Sequence, residues 1–195
     1  MNKPRIPHHQ SGSALEKADL AVARPLIKAA WFGPIRALGS VSDLTDQEPL
    51  YAATASFALT GVALRDLRAF RAGVEMLAAH LLATALRGIV KQLVDRTRPL
   101  AAAERGQYES GKGRRYESDF NSFPSGHTAG AVAVALAARR SFPGAGPAVL
   151  ALAGTASTAQ VVRSKHFVSD VVAGAAIGLA AAALTGALVR RAERT

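Results

Sequence analysis

Three short groups of residues carry side chains suited to one kind of chemistry. Lys91 is followed after six residues by Arg98-Pro99, Pro124-Ser125-Gly126-His127 forms a second group, and His166 with Asp170 three intervening residues later forms a third. Lysine and arginine offset negative charge, and a helix opening at Ser125-Gly126 presents free backbone N–H groups to an anion. Imidazoles titrate near neutrality, so His127 and His166 can attack or pass a proton. Asp170 lies one helical turn beyond His166, within reach of its ring. Two cations, a helix N-terminus and two histidines suit a tetrahedral phosphate dianion.

No carboxylate cluster is evident, because Asp95, Glu104, Glu109, Glu117 and Asp119 are scattered through one loop among basic residues. Metal-free chemistry is therefore expected, with no cofactor. Charge would be offset by Lys91, Arg98, Arg163 and backbone amides beside Gly126, whose missing side chain allows close approach. Each residue also has a plainer account. Lys91 and Arg98 can snorkel from a helix end, Ser125 can simply cap a helix, and a His–Asp pair at this spacing is common on helix surfaces. His80, eleven residues before Lys91, would lie about 16 Å away along a helix and is expected to pack or bond between helices.

The elements that must position these groups are apolar runs. The 195 residues are 49% hydrophobic and 19% charged, with 24 Lys and Arg against 14 Asp and Glu and no cysteine. That composition excludes a disordered chain, a disulfide scaffold and a thiolate metal site. Aromatics are only 6% and no basic stretch alternates with them, so nucleic acid is not an expected partner. Pro49–Leu64, Ala72–Val90, Thr128–Ala138, Ser141–Val162 and Val171–Val189 read as helices rich in Ala, Gly, Leu and Val. Several approach the roughly 20 residues needed to span a bilayer. A mean hydropathy of +0.14 is modest and keeps a soluble helical alternative in view. Gly174, Gly178 and Ala182 form a small-residue stripe that permits close helix approach.

Asp19–Leu38, broken by Arg24, Pro25, Lys28, Pro34 and Arg36 around Trp31, reads as an interfacial amphipathic helix. Residues 1–18, with His8-His9, read as a polar disordered tail and not a secretory signal. The expected architecture is an all-α integral membrane bundle of about five core helices plus the N-terminal amphipathic helix, with 19–195 forming one domain. If the core helices cross the layer alternately, Lys91, His127, Arg163, His166 and Asp170 emerge on one face.

The three groups, in this order and at alternating helix ends, resemble the motifs of the type 2 phosphatidic acid phosphatase family, whose superfamily includes bacterial acid phosphatases and vanadium haloperoxidases. The resemblance covers Lys91 to Asp170, and the helical pattern from Pro49 to Val189 agrees with that family's fold. It implies His166 as nucleophile, His127 as general acid, and Asp170 as acceptor of the far ring N–H of His166. It implies Lys91, Arg98, Ser125 and Gly126 as phosphate-binding residues. The family's third motif usually opens with arginine six residues before the histidine, where this chain has Gln160, and Arg163 is the nearby cation.

The implied activity is a membrane phosphatase acting on a lipid phosphate or prenyl diphosphate through a phosphohistidine. The alternatives are a soluble acid phosphatase of the same superfamily and a catalytically weak lipid-phosphate-binding membrane protein. Arg65, Arg68, Arg71, Arg139, Arg140, Arg190, Arg191 and Arg194 fall opposite the site, which reads as cytoplasmic. The site then faces outward, in a bacterial setting the periplasmic side of the inner membrane. Ser40–Glu48 lacks Lys and Arg, in keeping with the outer side, whereas the site loop carries Arg96, Arg105, Lys112, Arg114 and Arg115. Neither the lipid headgroup nor the oligomeric state is written in these residues.

Overall fold

The computed structural model describes residues 13–29, 32, 35, 45–113 and 117–194. Its helices, among the described residues, are α1 (Ala14–Ala29), α2 (Gln47–Ala63), α3 (Leu67–Leu93), α4 (Pro99–Arg105), α5 (Gly126–Ser141), α6 (Gly146–Val162) and α7 (Val168–Ala192). A small antiparallel pair, β1 (Val94–Arg96) with β2 (Ser110–Lys112), and 3₁₀ turns at Ser118–Phe120 and Pro143–Ala145 fill the connections. The all-helical bundle expected from the apolar runs is present, with α2, α3, α5, α6 and α7 as its long members.

Boundaries differ from the sequence reading where local chemistry extends a helix. Ala14–Ala18 belong to α1 and not to a disordered tail. Ser13 and Glu16 explain this, since the Ser13 N–H donates to the Glu16 carboxylate at 2.9 Å and the Glu16 N–H to Ser13 Oγ at 3.3 Å. This reciprocal capping box satisfies two otherwise orphaned donors. The Asp66 side chain accepts from the Ala69 N–H at 3.0 Å, which starts α3 ahead of the expected Ala72 and takes Arg68 and Arg71 into its first turns. The expectations for His8-His9, Trp31, Pro34, Arg36, residues 40–44, Arg114 and Arg115 lie outside the described residues.

Helix α5 is the centre of the bundle, packed against α3, α6 and α7. Its buried face is almost entirely alanine: Ala129, Ala133 and Ala137 meet Met76, Ala79 and Ala83 of α3 and Ala181 of α7. Such small side chains let backbones approach. A Cβ on Gly178 would lie 2.5 Å from the Ala129 carbonyl oxygen, and one on Gly174 would lie 2.5 Å from that of Ser125. Dispersion and close packing, not burial from water, are what such a seam offers in lipid. Leu81, Ile89, Leu152, Leu179 and Leu188 point away from the core and are each more than half exposed. Leu67–Leu93, Pro143–Val162 and Val168–Ala192 are long and apolar enough to cross a bilayer.

The antiparallel crossings separate two ends. One holds the starts of α3 and α6 and the ends of α5 and α7, where the Arg68 Nε–H donates to the Ser141 carbonyl at 3.0 Å and Arg140 pairs with Glu75 at 3.0 Å. The other holds the C-terminus of α3, the strand pair, α4, the N-terminus of α5 and the α6–α7 turn. Helix α1 packs over this second end, with Leu20, Ala23 and Ile27 against Ala102, Ala103, Tyr108 and Phe167. His80 serves between helices, as expected, its Nε2 lying 3.4 Å from the Gln47 carbonyl and its ring 4.2 Å from that of Tyr51.

Candidate active site

The second end collects the three sequence groups. Lys91 lies in the last turn of α3, and Arg98 precedes Pro99 at the first turn of α4, where proline costs no hydrogen bond. Ser125 is the N-cap of α5, with Gly126 and His127 opening the helix. The Ser125 hydroxyl is fully buried and accepts from the Thr128 hydroxyl at 3.1 Å, a capping arrangement that aims the helix start. His166 sits in the tight α6–α7 turn, which Ser164 makes with a left-handed φ of 54°.

The two imidazoles are neighbours, edge to face, with ring centroids 6.4 Å apart. His166 is 3% exposed, and its Nδ1 lies 2.7 Å from the Ser122 carbonyl oxygen. A carbonyl only accepts, so Nδ1 carries the proton and Nε2 the lone pair. Burial holds the pKa of His166 below the ordinary histidine value, and the Arg98 charge pushes the same way against the supporting effects of Asp170 and Ser122. The ring is therefore neutral and nucleophilic at neutral pH.

Asp170 departs from the sequence expectation. Its Oδ2 is 3.8 Å from His166 Nδ1, too far for a hydrogen bond, because closer donors take its oxygens. The Ser122 hydroxyl donates to Oδ2 at 2.6 Å, the Phe167 N–H to Oδ2 at 2.8 Å and Arg96 Nη1–H to Oδ1 at 2.7 Å. Asp170 therefore places a buried negative charge behind the histidine, while Ser122 holds the ring with its carbonyl and Asp170 with its hydroxyl.

Arg96, read from sequence only as one of several loop charges, is the hub behind this pair. It is 5% exposed, and its Nη2–H donates to Asp19 of α1 at 2.9 Å and its Nε–H to the Tyr108 hydroxyl at 3.0 Å. Burial opposes its charge, but Asp170, Tyr108 and Asp19 outweigh that and hold the guanidinium more firmly protonated than usual. Asp19 also accepts from the Ser169 N–H at 3.1 Å. Helix α1 is thus tied to the start of α7.

On the other side of the site, His127 Nε2 lies 2.6 Å from the carboxylate of Asp46, the N-cap of α2. The Arg87 Nη2–H donates to Gln47 Oε1 at 3.1 Å, and its guanidinium lies over Gly126, where a Cβ would fall 2.2 Å from Nη1. Gln160 is fully buried, and its carbonyl accepts the N–H groups of Lys165 and His166 at 3.0 and 3.2 Å. Arg163 is the half-buried C-cap of α6. The sequence reading missed Arg87, Arg96, Asp19, Asp46 and Ser122. For Arg87 a signal existed, an arginine within a largely apolar run, but the partners of the others are far away in the chain. No group of three His, Asp or Glu side chains gathers at one point among the described residues.

A sequence profile of the PAP2 superfamily matches residues 72–194. Among solved structures, the chain is similar to that described as the "first transmembrane PAP2 type phosphatidylglycerolphosphate phosphatase from Bacillus subtilis", with a TM-score of 0.68 at 18% identity over 92% of this chain and 88% of that one. At that identity the likeness shows a shared fold. A search of curated proteins gives no significant match.

Proposed function

Because the chain belongs to the PAP2 superfamily, we propose that it is a membrane phosphatase that cleaves a lipid phosphate or prenyl diphosphate through a phosphohistidine on His166. The observation that carries this reading is the pair of neighbouring imidazoles with centroids 6.4 Å apart, one buried and fixed by Ser122 with its lone pair on Nε2. On this reading the phosphoryl group passes between the two rings.

In the first step the Nε2 lone pair of His166 attacks phosphorus, the bond from phosphorus to the leaving oxygen breaks, and His127 gives that oxygen its proton. Asp170 stabilises the positive charge that develops on the His166 ring. Lys91, Arg98 and the amides at Ser125–Gly126 offset the charge on the phosphoryl oxygens. In the second step neutral His127 takes a proton from water, the hydroxide attacks phosphorus, and the N–P bond returns its electrons to His166. The cations give the charge stabilisation that a metal ion supplies elsewhere, so turnover is expected to be metal-independent.

A lipid substrate is supported by the surroundings. Three apolar helices of spanning length favour this reading over the soluble alternative. A groove of about 520 Å³, lined by Leu15, Val22, Phe123, Val168 and Val172, opens between α1 and α7 beside the Pro124-Ser125 corner, and its apolar lining suits an acyl or prenyl chain. The site is assigned to the outward, periplasmic face of a bacterial inner membrane, with Arg65, Arg68, Arg71, Arg139, Arg140, Arg190, Arg191 and Arg194 on the cytoplasmic end. The positive residues at the site end are partly neutralised, Arg96 by Asp19 and Asp170 and Arg105 by Asp119 at 2.7 Å. Gln160 supports the second reading, a weak lipid-phosphate binder, since it leaves the third motif without its arginine.

The test is phosphate release by the purified protein in detergent with EDTA, from a panel of phosphatidate, phosphatidylglycerophosphate, lipid A and a prenyl diphosphate. Turnover of at least one lipid is expected, with loss of both turnover and an acid-labile phosphoenzyme in His166→Ala. Near-normal release by a folded His166→Ala protein, or loss of wild-type release on adding EDTA, would refute the mechanism.

A further inference from the structure

Resting on the phosphatase reading, we infer that Arg87 is a phosphate-binding residue of this site, supplying from α3 the cation that the third motif lacks at Gln160. Arg87 lies within Leu67–Leu93, a helix apolar enough to cross a bilayer. An ionisable residue in such a segment carries a large desolvation cost and is retained where it serves a site or a partner. Arg87 is one helical turn before Lys91, on the same face of α3.

Three observations place its guanidinium where the phosphate would lie. It rests directly over Gly126, with Nη1 2.2 Å and Cζ 3.0 Å from the position a Cβ would take there. Gly126 opens α5, so the same guanidinium borders the backbone N–H groups that would receive an anion. Lys91 stands one helical turn further along the same face, in the last turn of α3, so the two cations share this end of the helix. Finally, the Asp46 carboxylate lies 2.6 Å from His127 Nε2, and Gln47, next to it in the chain, accepts from Arg87. One anionic group therefore already stands between the proposed general acid and the residue that Arg87 bonds.

Donors remain for a second anion. Among the described residues Arg87 spends one N–H on Gln47, and its buried Nε has no hydrogen-bond partner. A guanidinium has five N–H donors in a planar fork that fits two phosphoryl oxygens. Arg163, the cation nearer in sequence to Gln160, is instead the half-buried C-cap of α6. A bracing role alone, Arg87 holding α2 to α3 through Gln47, would affect stability without affecting anion binding.

The experiment pairs turnover of the lipid panel with the thermal stabilisation that inorganic phosphate gives the detergent-solubilised protein. Arg87→Ala is expected to lower kcat/KM on the order of 10²-fold or more and to remove the phosphate-induced shift. Arg87→Gln keeps a donor for Gln47 and is expected to lose the shift equally, which covers poor folding of the alanine variant. Adding Gln160→Arg to Arg87→Ala should recover at least about tenfold of the lost turnover, because a cation returns by the third-motif route. Arg190→Ala, at the opposite end of α7, should leave both readouts unchanged. Equal phosphate shifts in wild type and Arg87→Gln, or no shift in wild type, would overturn the inference. Wild type that binds phosphate through Arg87 but hydrolyses no lipid would sink the phosphatase reading and leave Arg87 as a phosphate ligand.

Discussion

At the scale of single residues, the site depends on which groups are kept neutral and which small side chains leave room. On the proposed mechanism His166 attacks as the neutral ring, and burial lowers its pKa. The acid limb of kcat/KM is therefore expected below pH 6.5, the ordinary histidine value, and a limb at or above it would contradict the assignment. The same shift has a sign for stability. Below about pH 6.5 the unfolded chain takes up this proton before the folded one does, so stability falls with decreasing pH until the folded pKa is reached. Gly126→Ala should separate fold from function. Its Cβ meets only the far end of the flexible Arg87 side chain, so the melting temperature should change little while kcat/KM drops at least about tenfold. Lys91, Arg98, His127 and His166 were legible because their motifs are local in sequence. Arg96 was not, since its carboxylate partners are 77 and 74 residues away and its neighbours made it look like one more loop charge.

At the scale of elements, helix packing here is a matter of backbone distance. Gly178 faces the Ala129 carbonyl oxygen at 2.5 Å and the Ala133 N–H nitrogen at 3.1 Å from an ideal Cβ, so neither neighbour can swing aside. Gly178→Val should destabilise the α5–α7 seam by about 1–3 kcal/mol, seen as a lower melting temperature in detergent. Gly154→Ala, with nothing within 4 Å of the added Cβ, should change it by less than about 0.5 kcal/mol. The small-residue stripe of α7 was visible in the sequence, but not which helix it met, because pairing depends on the order of crossings. The helices themselves were legible from their apolar runs. Their ends were less so, since Ser13 with Glu16 and Asp66 with Ala69 set them through one or two local capping bonds. The strand pair Val94–Arg96 with Ser110–Lys112 gave no alternating pattern long enough to notice.

At the scale of the whole molecule, the chain has a polarity that labelling can read. It has no native cysteine, so single substitutions report cleanly. In intact cells Ser110→Cys should react with a membrane-impermeant maleimide, and Arg194→Cys should react only after lysis; the reverse pattern would invert the proposed orientation. Asp19→Ala should cost about 1–3 kcal/mol by removing one of two carboxylates from buried Arg96, and should slow turnover although Asp19 touches no reacting atom. The shared family segment, residues 72–194, contains every motif residue but not Asp19. That segment is therefore expected not to be portable by itself. A chimera carrying it behind another protein's N-terminal helix would inherit both histidines without the acid that helps anchor their support, and on the proposed mechanism grafting activity between relatives would require positions 19, 96 and 170 to travel as a set.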